Sequence, residues 1–227
     1  MIFLSIIKLW LVDAQNLTAI GNAEHDDRLF LNIAGSLLAG EWLGPYNDLT
    51  LAKGPFYPIW IAVVYKTGIP LLLAQNLLYI AACAMFVISA SPLLHSRIII
   101  LLAYTALLFN PMSFTNGVMT QVMREGIYPA LTVLVISGAI GLMTRYNRHL
   151  LNITFWAIGE GLFLSAFWLT REEGIWIMPS VLIIIGYAIV KIYGTKPVNW
   201  KRISLYALPF VIWLIITGSV ALTNKIY

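Results

Sequence analysis

Apolar runs of about 17–22 residues, broken by short clusters of Gly, Pro and charge, recur along the chain, the length needed to cross roughly 30 Å of hydrocarbon at 1.5 Å per residue. Spans are expected at about Met1–Ile20, Leu71–Ala90, Ile98–Met112, Ile127–Thr144, Leu150–Leu169, Ile175–Val190 and Ile203–Thr223, about seven in all. Two shorter apolar segments do not fit this pattern. In Arg28–Ala39 the residues Leu29, Ile33 and Leu37 recur every four positions, with Phe30, Ala34 and Leu38 widening the stripe, which predicts an amphipathic helix stopped by Gly40. Phe56–Val64 opens after Lys53-Gly54-Pro55 and ends at the Lys66-Thr67-Gly68-Ile69-Pro70 break. At about a dozen residues, roughly 18 Å of helix, each is too short to span and is expected to lie in the interface. The fold expected is therefore all-α: a polytopic membrane protein, one module over 1–227, with two interfacial helices in a first outer loop at about 21–70.

Composition agrees, since the chain is 60% hydrophobic and only 11% charged, where a soluble domain carries about 25% charge. The net charge of +4 is then a topology signal and not a nucleic-acid patch. Alternate loops carry Arg97; Arg145 and Arg148; and Lys191, Lys196, Lys201 and Arg202. The opposite loops carry Asp13, Glu24, Asp26, Asp27, Glu41, Asp48, Glu125, Glu172 and Glu173, nine of the ten carboxylates. Basic loops stay in the cytoplasm, so the acids face outward. A full crossing by Phe56–Val64 would split both groups. Cys83, the single cysteine, falls inside an apolar run and reads as packing.

Three polar clusters gather on the outward side: Glu24-His25-Asp26-Asp27, Arg124-Glu125 and Arg171-Glu172-Glu173-Gly174. Adjacent carboxylates suit proton abstraction or a divalent cation, and neighbouring arginines suit phosphate. His25 has no second histidine at ligand spacing. Trp42, Tyr46, Tyr57 and Trp60 stand in the first outer loop, where aromatic rings serve as an interface belt or as stacking platforms. The tenth carboxylate, Glu160 in Gly159-Glu160-Gly161, is mid-span, where it is expected to face the bundle interior and make an interhelix hydrogen bond.

These motifs in this order resemble the GT-C superfamily of membrane glycosyltransferases, which includes protein O-mannosyltransferases and the aminoarabinose transferases of lipid A. The resemblance rests on the acidic pair in His25-Asp26-Asp27-Arg28-Leu29-Phe30 after a first span, and on Leu51-Ala52-Lys53-Gly54-Pro55-Phe56-Tyr57-Pro58 leading a second interfacial helix. Arg124-Glu125-Gly126-Ile127-Tyr128 and Leu169-Thr170-Arg171-Glu172-Glu173-Gly174 continue it, covering nearly the whole chain as the superfamily's seven-span module. It implies transfer of a sugar from a polyprenyl-phosphate donor to a hydroxyl on a lipid, glycan or protein acceptor, with inversion, at the outer face of a bacterial inner membrane. It also implies a C-terminal portion absent from this chain, on which activity would depend.

By the same resemblance Asp26 is the general base and Asp27 its partner, orienting the acceptor or a metal. Arg171, then Lys53, would hold the lipid phosphate, while Glu125 and Glu172 would help hold acceptor or cation. Competing uses of these residues are helix capping for the aspartates and anchoring among lipid headgroups for the cations. A cation transporter or lipid-handling protein using Glu160, and a non-catalytic assembly module, are the alternatives.

Overall fold

The computed structural model describes residues 1–18, 26–45, 50, 53–114, 119–195 and 197–226, with the side chains of Asp26, Met112, Phe114 and Glu172 outside the description. Ten helices account for most of these residues: α1 (Ile2–Asp13), α2 (Asp26–Leu38), α3 (Phe56–Thr67), α4 (Leu71–Ala90), α5 (Arg97–Leu108), α6 (Tyr128–Thr144), α7 (Leu150–Trp168), α8 (Met178–Tyr193), α9 (Trp200–Ser204) and α10 (Leu208–Ile226). Among the described residues there is no strand, only an isolated bridge between Thr18 and Gln121.

Helix α6 is the hub, packing on α4, α7 and α8, while α7 carries α10 on its other side. The cause is a run of small residues, with Ser137, Gly138, Ala139 and Gly141 all buried on α6. A side chain at Gly141 would run into the Trp156 ring, and one at Gly138 into the Glu160 carboxylate, so both glycines are there to let α7 come close. Gly161 serves the α7–α10 contact in the same way, facing Ile212 and the Pro209 carbonyl.

The two ends of the bundle differ in chemistry. At one, Arg145 donates to the carbonyls of Ser89 (3.0 Å) and Ile88 (2.6 Å) and lies 4.5 Å above the Trp156 ring, while Arg202 donates to the Tyr146 carbonyl at 3.0 Å. At the other, Thr18 N–H meets the Thr120 carbonyl (2.7 Å), Phe56 N–H meets that of Leu169 (3.1 Å), and Trp42 Nε1 donates to Asn224 at the end of α10 (2.8 Å). Arginine thus ties the helices at one end and the long first loop covers the other.

Helix lengths correct the expected seven spans. Among the described residues four segments are long and apolar enough to cross a membrane: Leu71–Ala90, Leu150–Trp168, Glu173–Tyr193 and Trp200–Ile226. Helices α1 and α5 have 12 residues each and α6 has 17. Helix α1 stops at Asp13 and does not reach Ile20, while Asn110-Pro111 halts α5 before Met112, because proline cannot continue the hydrogen-bond ladder. Inside α1 the fully buried Lys8 donates to Ser113 Oγ (2.9 Å) and to the Ser113 carbonyl (3.2 Å), anchoring α1 to the turn after α5.

The short amphipathic segments form as expected. Phe30, Ile33 and Ala34 of α2 are buried, and α2 packs on α3 with the Phe30 and Tyr57 rings edge to face at 5.1 Å. Gly68 ends α3 at φ 71°, a left-handed cap that glycine adopts without strain.

Two substitutions test this packing. Gly138→Ala is expected to destabilise the bundle by about 1–3 kcal/mol through overpacking, and less in a Glu160→Ala background, where the obstructing carboxylate is gone. Gly35→Ala, inside α2 with nothing within 4 Å of the added methyl, should instead stabilise by about 0.5–1 kcal/mol. Thermal unfolding in one fixed detergent reads both, and equal effects of the two changes would refute the packing account.

A candidate functional site at the acidic end

The polar residues of the loop-covered end come from three places in the sequence and meet around Arg171. This residue is extended (φ −142°, ψ 144°) and precedes the 3₁₀ turn Glu172–Ile177 that joins α7 to α8. Its Nη1 donates to Glu125 Oε1 at 3.1 Å and its Nε lies 2.6 Å from Glu173 Oε2. The guanidinium also sits 5.1 Å from the centre of the Tyr128 ring, and that ring stacks on Phe167 at 4.7 Å. Glu125 belongs to the 3₁₀ turn Arg124–Gly126 that leads into α6. One guanidinium thus ties the start of α6 to the end of α7. At 23% exposure for Arg171 and 32% for Glu125, the pair is partly desolvated, and two acids around one arginine leave the cluster net negative.

The second part of the site is centred on Tyr57. Its phenol is fully buried and receives a hydrogen bond from Gln75 Nε2 at 3.0 Å. Burial raises its pKa above the usual tyrosine value, the Gln75 bond opposes this, and the negative charges of Asp27 and Glu125 raise it further. Both carboxylates therefore act on one phenol, one from the first turn of α2 and the other from the entry to α6. Asp27 is buried, while Gly126 brings the backbone close to the Gln75 amide, since a side chain there would overlap it.

Lys53 and Arg171 share a cavity of about 310 Å³ with Gly54, Leu169 and residues of α10, among them Thr217, Val220 and Asn224. Gly54 makes this possible, because a Cβ at that position would collide with the Leu169 carbonyl and push the Lys53 segment away from α7. Glycine–backbone contact and the Phe56–Leu169 hydrogen bond hold the lysine beside the arginine.

The structure thus joins Glu125 to Arg171 directly, Lys53 to Arg171 through a shared cavity, and Asp27 to Glu125 through Tyr57. Asp26 opens α2, but its side chain, that of Glu172, and residues Glu24, His25 and Tyr46 lie outside the described residues. Among the described residues no group of three His, Cys, Asp or Glu is arranged to hold a metal ion, and the acid pair proposed for a divalent cation is only half described. Tyr57 is not a stacking platform for a sugar, because its ring is enclosed by Phe30 and neighbouring helices. Glu160 departs from expectation too: although the backbone of Ala139 adjoins it, neither oxygen meets hydrogen-bond geometry with any described residue. Gln75 was not singled out by sequence, since a lone amide on an apolar helix carries no spacing signal.

No protein-family model, no curated protein and no solved structure matches the chain.

The Gly54 contact yields a local prediction. Gly54→Ala should separate the Lys53 segment from Leu169 and destabilise the protein by about 1–3 kcal/mol. A cysteine pair at Lys53 and Thr217, which line the same cavity, should show a lower rate of bifunctional cross-linking in the Gly54→Ala background. An unchanged rate would show that the glycine does not set this spacing.

Proposed function

We propose that the chain is the membrane module of a glycosyltransferase that moves a sugar from a polyprenyl-phosphate donor to an acceptor hydroxyl at the outer membrane face. The observation that carries this reading is the cavity lined by both Lys53 and Arg171, walled by a helix, α10, of which little is buried. An ammonium and a guanidinium beside an apolar, outward-facing helix suit an anionic headgroup on a long hydrocarbon tail. Glu125 and Asp27 lie within electrostatic reach of the same phenol, adjoining that cavity.

In this reading α4, α7, α8 and α9–α10 cross the membrane, with the shorter α1, α5 and α6 packed among them and the outer loop folding α2 and α3 along the interface. The acidic end faces the periplasm or exterior and the arginine-tied end the cytoplasm. The phosphate oxygens sit between Lys53 and Arg171. Arg171 already serves Glu125 and Glu173, so donor phosphate competes with these carboxylates for it, and Lys53 supplies the additional charge. The acceptor oxygen forms its bond to the anomeric carbon as the bond from that carbon to the phosphate oxygen breaks, and the acceptor proton passes to Asp26. Polyprenyl phosphate leaves, held by the same cations. Asp27, beneath Asp26 on α2, orients the base or the acceptor, and Glu172 stands at the same end to assist. Asp26 and Asp27 are the residues that would hold a divalent cation, which would supply positive charge for the leaving phosphate. The sugar and acceptor stay at the level of class.

A specific observation favours a second reading. Glu160 is a wholly buried carboxylate at the α6–α7 contact without a hydrogen-bond partner among the described residues, the class of intramembrane group that marks ion pathways.

Asp26→Asn keeps the size of the side chain and removes the proton acceptor, so transfer should fall by about 10²–10⁴-fold with donor binding retained. Arg171→Ala and Lys53→Ala should weaken donor binding as well. The assay uses the full-length protein in membranes, supplied with radiolabelled polyprenyl-phosphate sugar. Undiminished turnover in Asp26→Asn overturns the assignment, and cation flux in vesicles abolished by Glu160→Gln would replace it with the second reading.

Orientation has its own test. An impermeant thiol reagent should label Thr67→Cys in intact cells and Asn147→Cys only after permeabilisation, with little background from the buried Cys83. Labelling of both from one side would overturn the proposed topology.

A further inference from the structure

A second cavity, also about 310 Å³, lies between α4, α5 and α6 and shares no lining residue with the Lys53–Arg171 cavity. Its volume falls at the lower edge of the range for small-ligand pockets, about 300–1,000 Å³. No charged side chain lines it. Leu72, Leu107 and Val133 give it apolar walls, and Gln75, Asn76 and Ser113 add polar ones. Two cations stand behind the lining, but both are engaged: Lys8 donates to Ser113 (2.9 Å), and Arg171, 5.1 Å from the Tyr128 ring, pairs with Glu125 and Glu173, so the lining itself suits a neutral ligand better than an anion.

Gln75 supplies the specific signal. It is 2% exposed, lines this cavity, and has Nε2 engaged by the Tyr57 hydroxyl, while its Oε1 has no hydrogen-bond partner among the described residues. A buried carbonyl left without a donor costs about 1–3 kcal/mol, so the position calls for one. Several neighbouring donors on the wall are committed elsewhere: Tyr79 donates its hydroxyl proton to the Leu107 carbonyl (2.7 Å), Thr132 donates to that of Tyr128 (2.9 Å) and Asn76 to that of Leu72 (2.9 Å). No described residue supplies the donor, and a ligand hydroxyl in the cavity would. If the amide were turned over, Tyr57 would donate to Oε1 and the unpartnered group would be an N–H seeking an acceptor. A hydroxyl satisfies either arrangement, because it both donates and accepts.

We propose that this cavity binds a neutral, hydroxyl-bearing amphiphile of the glycolipid or alkyl glycoside class, with Gln75 reading a ligand hydroxyl and the apolar walls taking its chain. Gln75 also bonds the phenol on which Asp27 and Glu125 act, which places the ligand hydroxyl one residue from the carboxylate cluster. Assigning the ligand as the acceptor rests on the glycosyltransferase reading; binding itself does not. The two cavities divide the substrates by charge, the anionic donor to the cations and the neutral acceptor to the amide.

The test uses the protein in zwitterionic lipid nanodiscs and an octyl glucoside carrying a photoreactive diazirine in its chain, with labelled peptides mapped by mass spectrometry. Labelling is expected on the first turns of α4 and α6, displaced by octyl glucoside and not by octyl phosphate. Gln75→Leu should weaken displacement by about tenfold, the value of one buried hydrogen bond, and Thr132→Phe should abolish labelling by filling the space. If Gln75→Leu does not fold, Thr132→Phe decides alone. Labelling that survives Thr132→Phe, or that octyl phosphate displaces equally, overturns the proposal. Labelling of the wild-type protein without any sugar transfer would remove the glycosyltransferase reading and leave this site, whereas transfer by a wild-type protein that is not labelled would remove this site alone.

Discussion

Close approach of helices at glycine governs this bundle. Between two apolar helices in lipid there is no gain from removing hydrocarbon from water, so association depends on packing contacts that only small residues permit. Helix α6 carries such a surface in Ser137, Gly138, Ala139 and Gly141, and Trp156 and Glu160 of α7 fit against its two glycines. Gly161 repeats the device one layer out, toward α10. The position of α10, and so the wall of the cation-lined cavity, follows from these contacts at a distance. Bulk added at Gly138 or Gly161 would spread outward through the bundle toward the chemistry at its end.

At that end the structure economises on charge. Arg171 answers to Glu125, Glu173, the Tyr128 face and the cavity shared with Lys53. Such a residue cannot be assigned to structure or to ligand binding alone. Its carboxylate partners hold it at the junction of α6 and α7 when no anion is present, and a phosphate would draw on the same guanidinium. Under the proposed function, exchange of one set of acceptors for another would couple phosphate binding to the geometry of the α6 entry, where Gly126 adjoins Gln75.

Polarity then sorts the two cavities. They have equal volume but different character, one lined by an ammonium and a guanidinium, the other by no charged side chain among the described residues. The low dielectric of a bundle interior magnifies that contrast, since an ion without a counter-charge is strongly disfavoured there and a neutral hydroxyl with an amide partner is not. The Tyr57–Gln75 pair stands between these environments. It is a small hydrogen-bonded unit, buried and held by Phe30 on one side and Gly126 on the other.

Hydropathy and charge spacing, by themselves, determined an all-helical chain with long apolar segments, the two short amphipathic helices after Asp26 and Lys53, and the gathering of acids in one set of loops. These are properties of local periodicity, which burial and helix geometry translate directly into structure. The same spacing overestimated span number, because it measures the length of an apolar run and not where Asp13 or Pro111 stops the hydrogen-bond ladder. Among the site residues, Glu125, Arg171 and Lys53 were legible as charges at span ends, but their contact was not: residues 46 and 118 positions apart meet only because α6, α7 and the first loop pack together. Gln75 was invisible, an ordinary amide on an apolar helix until Tyr57 and Gly126 are brought against it. The interhelix hydrogen bond expected of Glu160 failed for the matching reason, since a partner must stand opposite in three dimensions and Gly138 stands there instead. Sequence sets which faces are apolar and which ends are charged; which charges share a cavity depends on how closely the helices approach, and only tertiary packing decides that.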